Sequence, residues 1–124
     1  MLSFERCRIL VVDDFPDNVF LLKSALEEEG YDVDTATNGN LALTKIEASP
    51  PDLVLLDVMM PGMNGYEVTQ RIRQNDKLPF IPIVLVSACE EAGVEEGFSV
   101  GANDFVRKPI NFDHLLERIK VFCN

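Results

Sequence analysis

Three stretches of this chain are apolar almost without a break, and each ends on a polar side chain. They are Ile9-Leu10-Val11-Val12 before Asp13, Leu53-Val54-Leu55-Leu56 before Asp57, and Ile81 to Val86 before Ser87. Short continuous runs of this kind suit strands buried on both faces of a parallel sheet. Pro82 has no N–H for a ladder, so it fits only near the start of the third strand. Two other stretches are half polar, Tyr31 to Ala36 and Asn103 to Arg107. They read as sheet edges, with one face open to water.

Helical spacing fills the intervals. Pro16 and Asp17 open a first helix, with Val19, Leu22 and Leu26 inward, Glu27, Glu28 and Glu29 outward, and Gly30 as its stop. Asn38 and Gly39 turn the chain into a second helix through Leu43 and Ile46 to about Ala48, ended by Ser49-Pro50-Pro51. A third helix runs from Tyr66 to Gln74, with Val68 and Ile72 inward. A fourth, Glu90 to Val100, is acidic and weakened by Gly93 and Gly97. The last runs from Asn111 to about Phe122, with Leu115, Ile119 and Phe122 on one face and Asn111 or Asp113 as its cap.

Strands alternating with helices predict an α/β fold, a doubly wound parallel sheet with right-handed crossovers. Placing the polar strands at the edges agrees with the flavodoxin-like order 2-1-3-4-5. The apolar pattern alone does not order the three central strands.

Composition narrows this picture. The 124 residues fit one domain, 1–124. Eleven basic against 21 acidic residues give a net charge of −10, which opposes direct binding to nucleic acid or an anionic membrane. No apolar run approaches the roughly 20 residues of a membrane span. The start, Met1 to Arg6, lacks a signal peptide's pattern. Cys7, Cys89 and Cys123 are scattered and form no CxxC pair. The expectation is reduced thiols in a cytoplasmic protein, with neither zinc nor a disulfide framework.

The chemistry gathers at the strand ends. In such a sheet the carboxyl ends share one rim, where ligands bind. The rim collects Asp13, Asp14, Asp57, Ser87 and Lys108. Taken singly, Asp13, Asp14 and Ser87 could each cap a helix, Asp57 could solvate a loop, and Lys108 could sit in water. Together, three carboxylates repel one another unless a cation joins them. All-oxygen ligands point to Mg²⁺, with Mn²⁺ as the alternative. A carboxylate nucleophile beside a metal, a hydroxyl and an ammonium suits phosphoryl transfer.

At these residues the sequence resembles the response-regulator receiver family of two-component signalling. The matching segments are Leu10-Val11-Val12-Asp13-Asp14, Leu55-Leu56-Asp57-Val58-Met59-Met60-Pro61-Gly62-Met63-Asn64-Gly65, Val86-Ser87-Ala88, and Gly101 to Pro109. The resemblance implies that Asp57 is the phosphoacceptor and Asp14 a direct Mg²⁺ ligand. It makes Asp13 a ligand partly through water, with the Met59 carbonyl as a further one. Ser87 and Lys108 would contact the phosphoryl group, and the Lys108–Pro109 bond would be cis. The implied donor is a histidine kinase or a phosphotransfer protein. The implied switch pairs Ser87 with Phe105 and is read out on the face of helix four, strand five and helix five.

Several residues depart from the family's common pattern. Phe105 stands where many members have Tyr, so its two states should be less evenly balanced; plain core is the other reading. Ser87 replaces the commoner Thr, Asn64 stands where Asp is frequent, and Phe15 follows the acidic pair where a polar residue is usual. The resemblance implies that Met59 and Cys89 flank the path of the attacking water, and neither orients water as an amide or carboxylate does. Slow loss of the phosphoryl group is therefore expected.

Two rival readings follow from the same residues. A Mg²⁺-dependent small-molecule phosphohydrolase would need a lid and a second acid two residues after Asp57, and the sequence offers neither. A pseudo-receiver that binds partners without phosphorylation would not need the intact acids. Pairing of the acidic fourth helix with Arg107, Arg118 and Lys120 would support a homodimer. His114, the only His, reads as solvated.

Overall fold

The computed structural model describes residues 6–88 and 91–123, the side chains of 91 and 92 excepted. Cys89 and Glu90 lie outside the described residues. Five strands alternate with five helices: β1 Arg8–Val12, α1 Pro16–Glu28, β2 Asp32–Ala36, α2 Gly39–Ala48, β3 Leu53–Asp57, α3 Gly65–Gln74, β4 Ile83–Ser87, α4 Glu91–Ser99, β5 Asp104–Arg107 and α5 Phe112–Phe122. All strand pairs are parallel and the order is β2-β1-β3-β4-β5. The flavodoxin-like arrangement is thus the fold of the chain. The three apolar runs are central, and the two half-polar ones are the edges.

Burial follows the pattern that predicted the strands. Every residue of β3 and of β4 is buried. One face of the sheet packs Ile9, Val11, Leu55 and Val84 against Leu22 and Leu26 of α1 and Leu115, Leu116 and Ile119 of α5. The other packs Leu10, Val54, Leu56 and Leu85 against Ala42 and Ile46 of α2 and Val68 and Ile72 of α3. Burying an aliphatic side chain completely contributes about 1.5–3 kcal/mol.

Local chemistry sets the element ends. Pro16 opens α1 with no side-chain cap, which leaves Asp13 and Asp14 for the rim. Gly30, at φ 95°, takes the chain out of α1 in a left-handed turn. Asn38 caps α2 and Asn111 caps α5. Asn64 closes a capping box with Glu67 at the start of α3, so Asn there does a capping acid's work. Two details differ from the sequence reading. β4 starts at Ile83: Pro82 has no N–H to donate to a ladder, although its carbonyl still accepts from the Val54 N–H (3.0 Å). Leu43 is only partly buried, since Ala42 and Ile46 take the inward face of α2.

The cysteines require a larger correction. Cys7, just ahead of β1, and Cys123, at the end of α5, are disulfide-bonded with Cα atoms 5.7 Å apart. Scattered spacing along the chain says nothing about spatial neighbours. Here the first strand and last helix meet on the same face of the sheet.

Arg73 of α3 ties the base of the sheet together. Its guanidinium donates to the carbonyls of Ile81 (2.7 Å) and Gly101 (2.9 Å) and to Asn103 Oδ1 (2.8 Å). Its carbon Cζ lies 4.9 Å from the centre of the Phe80 ring. α4 is attached differently. Among its described side-chain positions only Gly97 is buried. A Cβ there would come within 2.8 Å of Leu85 Cδ1 and 3.5 Å of Phe105 Cδ2, so α4 lies directly on the sheet. The Tyr66 hydroxyl donates to the Gly93 carbonyl (2.9 Å), joining α3 to α4.

Gly65 is the closest approach that bears on the site. A Cβ there would stand 2.6 Å from the Asp57 carbonyl oxygen and 2.8 Å from Val58 Cα. Both are backbone atoms and cannot rotate away. Gly65→Ala is expected to cost about 2 kcal/mol by overpacking, read as a lower urea midpoint at unchanged slope.

Candidate phosphoryl and metal site

The acidic rim forms where β1 and β3 end side by side. Register pairs Val12 with Leu56, so the next residues, Asp13 and Asp57, emerge together. Asp13, Asp14 and Asp57 each place one carboxylate oxygen within 4.8 Å of the others. Asp13 is 3% and Asp57 4% exposed, so neither charge is dispersed by water.

Each acid has a different environment. Asp13 Oδ1 accepts from the Phe15 N–H (2.9 Å), and its Oδ2 accepts from Asn18 Nδ2 (3.3 Å). Asp57 Oδ1 accepts from Lys108 Nζ at 3.2 Å, and the same ammonium stands 3.8 Å from Asp13 Oδ2. Among the described residues, Asp14 Oδ1 is the buried side-chain oxygen left without a hydrogen-bond partner. Burial raises the Asp57 pKa, the charge of Asp13 raises it further, and Lys108 only partly offsets this.

Three carboxylates and one lysine leave an excess of negative charge in a buried site. A divalent cation fits this donor set. The acids are hard oxygen ligands of the kind Mg²⁺ takes, and the orphan Asp14 oxygen lacks only such a partner.

The remaining rim residues take their places around Asp57. Ser87 ends β4 and is buried at 1% exposure, and its carbonyl accepts from the Lys108 N–H (3.0 Å). The Lys108–Pro109 peptide is cis. Met59, two residues beyond Asp57, is 70% exposed, whereas Met60 is packed inside the loop. Phe105 is partly buried against the cluster that contains Leu85, next to Gly97. Arg118 of α5 pairs with Asp104 of β5 in the same chain, so the charge assigned to a dimer contact is engaged internally. His114 is exposed. Asn18 was not anticipated. Its signal is its place in the first turn of α1, directly above the strand end that carries Asp13.

Beside the site runs a groove of about 440 Å³ between α1 and the loop before α5, lined by Asp13, Leu21, Lys108, Pro109, Ile110 and Phe112. Leu21, on its α1 side, is 65% exposed; Phe15 just before α1 (63%) and Phe20 on α1 (68%) are exposed outside the groove. Among the described residues no helix is long and apolar enough to cross a membrane.

The comparisons with known proteins agree with this geometry. The family model described as "Response regulator receiver domain" matches residues 9–120. Response regulator PleD of Caulobacter vibrioides is 43% identical over 114 residues, 91% of this chain and 25% of PleD. The alkaline phosphatase synthesis transcriptional regulatory protein PhoP of Bacillus subtilis is 43% identical over 113 residues, 91% of this chain and 47% of PhoP. The chain thus spans half or less of these two relatives. The structure of chemotaxis protein CheY4 of Vibrio cholerae superposes with a TM-score of 0.89 at 30% identity, covering 95% of this chain and 99% of that one. A match from β1 to α5, with likeness in sequence and in fold, places the chain in the receiver family of two-component response regulators, whose business is phosphorylation-dependent signalling.

Proposed function

We propose that residues 1–124 act as one receiver domain that accepts a phosphoryl group on Asp57 from the phosphohistidine of a histidine kinase or phosphotransfer protein. The observation that carries this is the buried Asp57 carboxylate, 3.2 Å from the Lys108 ammonium and grouped with two further acids.

In the reaction an Asp57 oxygen attacks phosphorus, and a new P–O bond forms as the donor's P–N bond breaks. The electron pair of that bond returns to the imidazole nitrogen. Asp13, Asp14, Asp57 and the Met59 carbonyl would hold Mg²⁺, or Mn²⁺ in its place. The ion, when bound, neutralises charge on the phosphoryl oxygens. Lys108 gives up its hold on the Asp57 carboxylate to pair with the phosphoryl group, and the Ser87 hydroxyl donates to another of its oxygens. The apolar lining of the groove, Leu21, Pro109, Ile110 and Phe112, gives a donor helix a place to rest while its phosphohistidine reaches Asp57.

The signal is read on the α4–β5–α5 face, through Ser87 and Phe105. The chain is a phosphoacceptor that assists its own phosphorylation and slow hydrolysis, not a multiple-turnover enzyme. A charge of −10 disfavours direct contact with nucleic acid or membrane, and a kinase donor fits a cytoplasmic location. Phos-tag electrophoresis after incubation with phosphoramidate and Mg²⁺ tests the reading: one slower band is expected, and its absence would remove the reading.

Met59 is exposed two residues after Asp57 and Cys89 follows two residues after Ser87, the positions that in receivers flank the water's approach. The phosphorylated protein is expected to decay slowly. Met59→Asn combined with Cys89→Glu should shorten the lifetime about tenfold, less than the roughly 10²-fold or more of a full general acid–base contribution, because the new side chains only orient the water. The measurement is loss of the phosphorylated band over time with Mg²⁺ present; an unchanged lifetime refutes it.

A further inference from the structure

Cys7 and Cys123 are separated by 116 positions in sequence, and their Cα atoms are 5.7 Å apart, the middle of the range a disulfide requires. Cys7 is partly exposed just before β1, and its carbonyl accepts from the Asp32 N–H at the start of β2 (3.1 Å). Cys123 is 2% exposed, and its N–H donates to the Ile119 carbonyl (2.8 Å) as the cap of α5. Both sulfurs belong to the core layer built by Leu115, Leu116 and Ile119. They lie at the amino ends of the strands, opposite the rim that holds Asp57. Phosphoryl chemistry therefore takes place at one end of the sheet, and the cysteine pair sits at the other.

We propose that Cys7 and Cys123 are a reversible oxidation site, and that its disulfide clamps α5 to β1 under oxidising conditions. This goes beyond phosphorylation and does not depend on it. The oxidant is a small organic disulfide. The partly exposed Cys7 thiolate attacks it, forming a mixed disulfide and releasing one small thiolate. Cys123 then attacks the Cys7 sulfur, the protein disulfide forms, and the second small thiolate leaves. The protein loses two electrons and two protons, and the small disulfide becomes two thiols. Reduction runs the same exchange backwards, entering at Cys7 because Cys123 is shielded. The clamp closes a loop around nearly the whole described chain, which removes much of the unfolded chain's freedom. It also fixes the far end of α5, one side of the proposed output face, without touching the acidic rim.

The test uses the Cys89→Ser protein, so that only the pair remains. It is equilibrated in oxidised or reduced glutathione and then tagged with a maleimide. The expected result is loss of both free thiols in oxidised glutathione, an intramolecular peptide joining Cys7 to Cys123, and return of both thiols in reduced glutathione without denaturant. The oxidised form should melt roughly 10 °C higher than the reduced one. Its phosphorylation by phosphoramidate should be unchanged. Cys7→Ser, at a partly exposed position that tolerates the change, should abolish the difference in melting. Two free thiols in oxidised glutathione, intermolecular crosslinks alone, or a bond that resists reduction in the folded protein would each overturn the proposal.

Discussion

Asp57→Asn is expected to take up no phosphoryl group from a small phosphodonor with Mg²⁺, and to fold more stably than the parent at neutral pH. The first effect is complete because the amide oxygen is no nucleophile and no neighbour can replace it. Asp13 is committed to Phe15 and Asn18 through both its oxygens. Asp14 follows β1, the strand beside the one that carries Asp57. Electrophoresis that resolves the phosphorylated form reads the result directly. A slower band in Asp57→Asn would move the acceptor to another residue.

The second effect follows from the raised Asp57 pKa. A carboxyl that holds its proton more tightly when folded than when unfolded stabilises the fold at low pH. That contribution is present in full below the ordinary Asp value of 3.8 and is lost as pH climbs through the raised folded value. At pH 7 the ionised Asp57 is therefore a liability, imposed first by burial and then by Asp13. The amide removes it. The midpoint gain from Asp57→Asn should be largest at neutral pH and should shrink as the solution is acidified. A gain independent of pH would mean that the charge is not its source.

Asp14→Ala should lower Mg²⁺ affinity on the order of 100-fold, comparable to the upper range seen when a metal site loses a supporting group. Asp14 Oδ1 is buried with no hydrogen-bond partner, so coordination is the interaction that satisfies it. In the parent, Mg²⁺ at about 100 times its Kd should stabilise the fold by about 2.7 kcal/mol. The same concentration should leave Asp14→Ala nearly unaffected. Phosphorylation by a small donor should fall by about 10² to 10³, the usual effect of losing one electrostatic contributor to a transition state. Calorimetric titration with Mg²⁺ and melting curves with and without EDTA make the measurement. Equal Mg²⁺ stabilisation of both proteins would refute the assignment.

The features that could be read from the chain share a physical character. A strand buried on both faces must be apolar throughout, so β1, β3 and β4 declared themselves, as did the polar residues that end them. Once the strands are parallel, Asp13, Asp57, Ser87 and Lys108 must share a rim. Their common location therefore needed no long-range information. The order of the central strands did not follow from burial, because all three are equally apolar; it came from the flavodoxin-like precedent for a parallel sheet with polar edges.

What stayed hidden depends on contacts between distant segments. Arg73 reads in the sequence as one more polar residue on α3, yet it hydrogen-bonds three groups from two other connections. Cys7 and Cys123 have no local signature, since only the docking of α5 beside β1 brings them together. Gly97 reads as a weakness within a helix. Its effect on packing becomes visible only when Leu85 and Phe105 are found beneath it.

Gly97 and Tyr66 are among the described contacts that hold α4. A helix whose only buried described position is a glycine contributes little hydrophobic adhesion of its own, and one phenol–carbonyl hydrogen bond is worth about 1 kcal/mol. On the described contacts, lifting α4 off the sheet is expected to cost less than global unfolding. A partner that prefers the lifted helix would then need only a small difference in affinity to hold it there.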